Sequence, residues 1–405
     1  MPYYRQVGDV PRKRHTRFER PGGGLHSEEL MGVEGFSAES ALLYHRQPPT
    51  AIVKAEAVDE APVAVEVTPN RPLLPRHLRT HSLPVAGDAV TGRQLLLAND
   101  DVRLLMAAPA AGRASELYRN AIGDELVYVE SGAATFESVY GRLAVGPGDY
   151  VVIPTSTTHR WVPAADGEAG GPGGSPGMTG FRALVLEARG HIRPPRKYLS
   201  PAGQFLEHAP YCERDLRAPT EPLLVEEGET PVLVRARGGL TRYTYRHHPF
   251  DVVGWDGCLY PYAFNIADFE PIVGRLHQPP PVHQTFEGPN FVVCSFVPRL
   301  FDFHPEAVPV PYNHANVDSD EVLFYVGGDF MSRKGSGIGL GSISLHPAGF
   351  IHGPQPGSVE AAIGKPGTEE VAVMVDTFRP LGLGAAARET EDPEYAWTWA
   401  RGLDR

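Results

Sequence analysis

The stretch His314–Gly328, HANVDSDEVLFYVGG, places a histidine, an asparagine and two adjacent acids ahead of a short apolar run that ends in paired glycines. A run of β-branched and aromatic residues bounded by polar turn residues and Gly reads as a buried strand. The same spacing occurs earlier, in Tyr118–Gly132, YRNAIGDELVYVESG, where Tyr118, Asn120, Glu125 and Gly132 match His314, Asn316, Glu321 and Gly328. A second set follows in the same order: Gly148, Pro154 and His159 in GDYVVIPTSTTH match Gly341, Pro347 and His352 in GSISLHPAGFIH. The offsets are 196 and 193 residues. Two matches in one order at nearly one offset mean a duplicated β unit. The expectation is a mainly β chain with two related barrels of jelly-roll type.

The rest of the chain agrees with that class. Forty prolines and 44 glycines in 405 residues leave little room for long helices. Short strand-like runs such as ELVYVESG, DYVVIP, RALVLEA, PNFVVCSFVP and EVAVMVDTF lie between turn signals, as in antiparallel sandwiches and barrels. A chain of this length divides into two domains. The expected division is 1–262, holding a first barrel at about 98–190, and 263–405, holding the second. The Gly- and Pro-rich segment 163–180 has too little apolar surface to offset its ordering entropy, so a mobile insertion is expected there.

Composition excludes several function classes. The formal charge of -12 argues against nucleic acid as a partner, and the basic run PRKRHTRFER at Pro11–Arg20 reads as solvated surface or a subunit contact. Cys212, Cys258 and Cys294 are far apart and lack C-x-x-C spacing, so neither a disulfide framework nor a zinc ribbon is implied. There is no apolar stretch long enough for a membrane span and no signal-peptide core at the N-terminus. A cytoplasmic protein is expected.

The chemistry lies in the second copy. Antiparallel strands would bring His314, Glu321 and His352 to one spot inside the barrel. Two imidazoles and a carboxylate on one face of a cation form a facial triad, whose usual occupant is non-haem Fe(II) and which leaves positions open for substrate and dioxygen. Asp320 stands beside Glu321, and neighbouring strand residues face opposite sides, so only one of the two carboxylates can ligate. Glu321 is the expected ligand because Glu125 holds the equivalent place. The first copy has Tyr118 in place of His314, so its barrel is expected to bind no metal.

At these residues the sequence resembles the cupin superfamily, and within it the homogentisate 1,2-dioxygenase family. LHSEELMGVEGF, LLYHRQPP, GQFLEHAPYCERD, VVGWDGCLYPYAFNIADF, HQPPPVHQTFEG and SLHPAGFIHGP carry the likeness over nearly the whole chain. The resemblance implies a bicupin whose His314, Glu321 and His352 hold Fe(II). It also implies His277 as the base facing a substrate phenol, His346 as a histidine beside the metal, and a hexamer. The implied reaction is extradiol-type cleavage of a hydroquinone-type aromatic acid by O2, with homogentisate going to maleylacetoacetate in tyrosine and phenylalanine catabolism. Two features depart from the family. The His314-to-Glu321 spacing is one residue longer, and Phe330 stands where the family tends to have a tyrosine. Other readings of the same residues are a gentisate-like dioxygenase, an isomerase using the same triad, or a non-catalytic cupin that binds a small molecule.

Overall fold

A computed structural model describes residues 3–58, 66–165, 180–310 and 312–401. Most of the expected insertion at 163–180 lies outside the described residues. The chain is mainly β, with two cupin-like units, and the α-helices among the described residues are the short Ser358–Ala362 and Ala385–Thr390.

The duplication is visible in strand order. In the nine-stranded sheet of the first unit, Asp149–Ile153, Glu125–Ser131, Arg182–Ala188, Val102–Ala107 and Gln94–Ala98 lie side by side. In the six-stranded sheet of the second, Ser342–His346, Asp320–Gly327, Val371–Thr377, Phe291–Phe296 and Gln284–Gly288 repeat that order. The registers repeat too: Glu125 faces Glu187 across its strand pair as Glu321 faces Asp376, and Tyr118 pairs with His159 as His314 does with His352. A seven-stranded sheet that includes Ala134–Ser138, His159–Pro163 and Tyr118–Asn120 backs the first unit. The sheets remain open rather than closing into continuous barrels.

Side-chain alternation decides which residues enter each barrel. On the strand Asp320–Gly327, Val322 and Phe324 join the large core shared between the units, where Phe324 meets Tyr128 edge-on at 6.2 Å. Leu323 and Tyr325 point the other way, into a small cluster with Cys294, Ala372 and Met374. Glu321 has the parity of Leu323, which aims it into the second barrel. Asp320 has the parity of Val322 and faces away. The two interiors differ in filling. Nineteen buried apolar side chains, Phe136, Trp161 and Phe181 among them, pack the first, whereas five line the second. Both interiors also hold buried charged groups, Glu125 and Glu187 in the first and Glu321 in the second.

The expected halves 1–262 and 263–405 exchange strands. Arg76–Arg79 adds to the edge beside Ser342–His346, and Gly382–Leu383 pairs with Gln94–Ala98. Each exchange covers a sheet edge that would otherwise leave backbone groups unpaired. Within the basic run, Arg14 pairs with Asp256 at 3.0 Å and Arg20 donates to the Arg46 carbonyl, so both cations serve intramolecular contacts.

Candidate metal centre

His314 and His352 meet through a reciprocal backbone bridge, with N–O distances of 2.7 and 2.8 Å, that sets both imidazoles on one side of Glu321. The Glu321 carboxylate lies 3.7 Å from His314 Nε2 and 3.3 Å from His352 Nε2. One ligand atom from each of the three falls within 4.8 Å of the others, and no other group of three such donors does so among the described residues.

The donor chemistry fits a cation. His352 Nδ1 donates to the Phe350 carbonyl at 3.0 Å, so the lone pair of Nε2 faces the carboxylate, and this buried atom has no hydrogen-bond partner. The Gly353 carbonyl accepts from Arg333 Nη1 at 2.7 Å and from Trp399 Nε1 at 3.0 Å, which holds the chain just past His352. A Cβ on Gly353 would come within 2.2 Å of Asn313 Oδ1 and 2.8 Å of its Cα, so only glycine fits there.

His346 faces Glu321 across the strand pair and is fully buried. Its Nδ1 lies 2.9 Å from Glu321 Oε1 and its Nε2 3.0 Å from the Tyr395 hydroxyl. Burial, reinforced by the Arg333 guanidinium, pushes its pKa down to about 3, so the ring is neutral. A neutral ring that donates from Nδ1 to the carboxylate accepts the Tyr395 proton at Nε2. Burial alone would raise Glu321, but the imidazoles of His314, His346 and His352 hold it well below the usual carboxylate range. Across the sheet, burial and the nearby Glu321 charge push Asp376 up to about 8.

The structure brings His314, Glu321, His352 and His346 together, and it removes Asp320 from the group. Asp320 Oδ1 accepts from the Ala348 amide and Oδ2 from the Leu381 amide, both at 2.8 Å. It is buried and anchors backbone on the opposite face. His277 touches none of the three ligand candidates. It is partly exposed, with Nε2 and the Tyr312 hydroxyl hydrogen-bonded at 2.8 Å and Nδ1 3.5 Å from Asp302, while Tyr312 meets the His314 ring edge-on at 5.8 Å.

Sequence reasoning missed Tyr312, Arg333, Tyr395 and Trp399. Tyr312 had a signal, since residues two apart share a side of an extended chain and Tyr312 precedes His314 by two. The other three reach the site through tertiary folding and gave none. Phe330 packs edge-on against Tyr325 at 5.1 Å and turns an apolar ring toward the small cluster.

No family model matches the chain. Over 403 residues, 98% of this chain and 99% of the other, it is 40% identical to a Saccharolobus solfataricus protein named "Putative dioxygenase". It is 26% identical to the homogentisate 1,2-dioxygenase of Emericella nidulans, over 95% of this chain and 89% of that one. The protein of the same name from Rhodopseudomonas palustris is also 26% identical, over 98% and 91%. Among solved structures, a cupin 2 conserved barrel domain protein from Leptotrichia buccalis aligns with a TM-score of 0.35 at 10% identity, covering 79% of this chain and 100% of that one.

Proposed function

The chain belongs to the homogentisate-dioxygenase-like family of the cupin superfamily, and from that premise we propose that it is an Fe(II)-dependent dioxygenase that opens the ring of a hydroquinone-type aromatic acid. Homogentisate, going to maleylacetoacetate, is the leading substrate. The observation that carries this reading is the convergence of His314, Glu321 and His352 on one point, with the buried Nε2 of His352 left without a partner. Two imidazoles and one carboxylate suit a divalent cation and leave about three coordination positions free. Fe(II) bound there supplies the redox chemistry that joins dioxygen to the ring.

The protein's own residues do the rest. Glu321 offsets part of the cation's charge, and His346, backed by Tyr395, fixes the direction of its carboxylate. Arg333 and Trp399 hold the backbone that follows His352. Asp302 beside Nδ1 of His277 favours the tautomer with a free Nε2, the atom that now accepts from Tyr312. A substrate phenol taking the place of the Tyr312 hydroxyl gives up its proton to that atom, and Asp302 stabilises the resulting imidazolium. Assistance of this kind contributes ~10²- to 10⁴-fold to rate.

The exchange of a family tyrosine for Phe330 supports a second substrate within the same chemistry, another hydroquinone acid that needs one hydrogen bond fewer. Around the site Leu276, Phe303, Val317 and Ile351 are exposed, at 65%, 64%, 82% and 73%. That apolar rim favours a homo-oligomer, the hexamer implied by resemblance, in which a second copy covers it. The test of function is oxygen uptake by anaerobically Fe(II)-loaded protein against a panel of hydroquinone acids. Uptake with homogentisate supports the leading reading, uptake with another member alone moves the substrate, and product without oxygen consumption rejects the dioxygenase.

A further inference from the structure

The first barrel repeats the second barrel's site with a different cation inside it. Glu125 takes the place of Glu321, His159 that of His352, Tyr118 that of His314, and Glu187 that of Asp376. The equivalence reaches the tautomer. His159 Nδ1 donates to the Thr157 carbonyl two residues back at 3.0 Å, just as His352 Nδ1 donates to Phe350. In both rings Nε2 is buried, turned inward and without a partner.

Arg93 fills the space between these groups. Its Nη2 lies 2.9 Å from Glu125 Oε2 and its Nη1 2.9 Å from Glu187 Oε1, and its Nε donates to the Ala89 carbonyl at 3.0 Å. The guanidinium carbon sits 5.7 Å from the centre of the Tyr118 ring, which itself meets His159 edge-on at 5.6 Å. The Arg93 side chain is 4% exposed, Glu125 1% and Glu187 5%, so a monovalent cation is held out of water by two carboxylates. Glu187 also receives Arg103 and Arg235, and Glu125 receives the Asn120 amide at 2.9 Å.

We propose that Arg93 is the built-in cation of a latent divalent-metal site formed by Glu125, Glu187 and His159, occupying the position that its counterparts in the second barrel leave open. The guanidinium supplies the positive charge that the buried carboxylates require. It cannot exchange or change oxidation state, so the first barrel stays assembled whether or not metal is available. Tyr118 fits this role, because its ring offers the guanidinium an aromatic face in place of a metal ligand. Removing the guanidinium leaves two carboxylates and an unpartnered imidazole nitrogen that lie farther apart than the 4.8 Å spread of the second barrel's trio, so a Zn(II) or Co(II) ion, which suits these donors, has to draw them together.

The test is the change in bound Co(II) when Arg93→Ala is made in the full chain, counted as the increment over the parent protein. An increment is independent of whether the second barrel binds metal, so failure here and failure of the function proposed above are separable. One additional equivalent is expected in Arg93→Ala, none in Arg93→Lys, and the additional equivalent should vanish when His159→Ala is added. No increment in folded Arg93→Ala overturns the proposal, as does an increment that survives His159→Ala. Should Arg93→Ala need help to fold, Zn(II) or Co(II) during refolding must restore soluble protein. Failure to fold even with the metal present overturns the proposal too, because a divalent ion would then be no substitute for the guanidinium.

Discussion

Replacing Asp320 by alanine removes the acceptor of two backbone amides while leaving every proposed ligand in place. The Ala348 amide belongs to the turn that leads into His352, and the Leu381 amide to the segment that returns toward the first unit. Hydrogen bonds to a charged acceptor contribute ~1.5–3 kcal/mol each. The Leu381 bond is buried but the Ala348 bond is only partly so, which lets water replace it at lower cost. A loss of about 2–4 kcal/mol is therefore expected, larger than for an exposed turn aspartate. Urea unfolding of metal-free wild type and Asp320→Ala measures it, and metal analysis of the loaded proteins shows whether the site survives. Asp320→Ala should lose that stability and keep its metal, whereas Glu321→Ala should lose the metal. Folded Asp320→Ala without metal, or a stability within about 0.5 kcal/mol of wild type, refutes the assignment of Asp320 to the opposite face.

Other outcomes follow from the same geometry. His45 lies between Asp251 at 2.6 Å and Glu29 at 2.9 Å; burial opposes its charge, but the two carboxylates raise its pKa to about 9. Relative to the ordinary value of 6.5, this stabilisation is fully present below pH 6.5 and lost as pH rises through about 9. It amounts to about 3 kcal/mol at most, so the stability gap between wild type and His45→Gln should shrink by that order between pH 6 and pH 9.5; a constant gap contradicts it. His277→Asn should keep its iron and lose turnover by a factor of about 10² or more, measured as metal content and oxygen uptake on one sample. Gly353→Ala should weaken metal retention without touching a ligand, since its methyl meets Asn313 next to His314, and unchanged affinity would show that this backbone is free to move.

Much of the architecture was legible because a duplicated β unit writes its period twice. The Glu-bearing strands recur at an offset of 196 residues and the Gly–Pro–His set at 193, and strand parity separates Glu321 from Asp320 once the register is known. Strands such as Thr230–Ala236 and Tyr262–Asn265 add to the sheets of the barrel expected at about 98–190. The pairings that join them to the first barrel, with Tyr118–Asn120 and Asp149–Ile153, span more than a hundred residues and leave no local trace. The same holds for Arg333, Tyr395 and Trp399, which the sequence presents as ordinary basic and aromatic residues. Tyr118 marks the first copy as different in the sequence, but Arg93, which pairs with both Glu125 and Glu187, lies upstream of the repeat and carries no such mark.

The central claim is a single metal held by His314, Glu321 and His352. Iron content per chain, determined on anaerobically loaded wild type and on His352→Ala, tests it most directly. The account predicts one equivalent in wild type and loss of nearly all of it in the variant. Two equivalents in wild type, or full occupancy in His352→Ala, would contradict it.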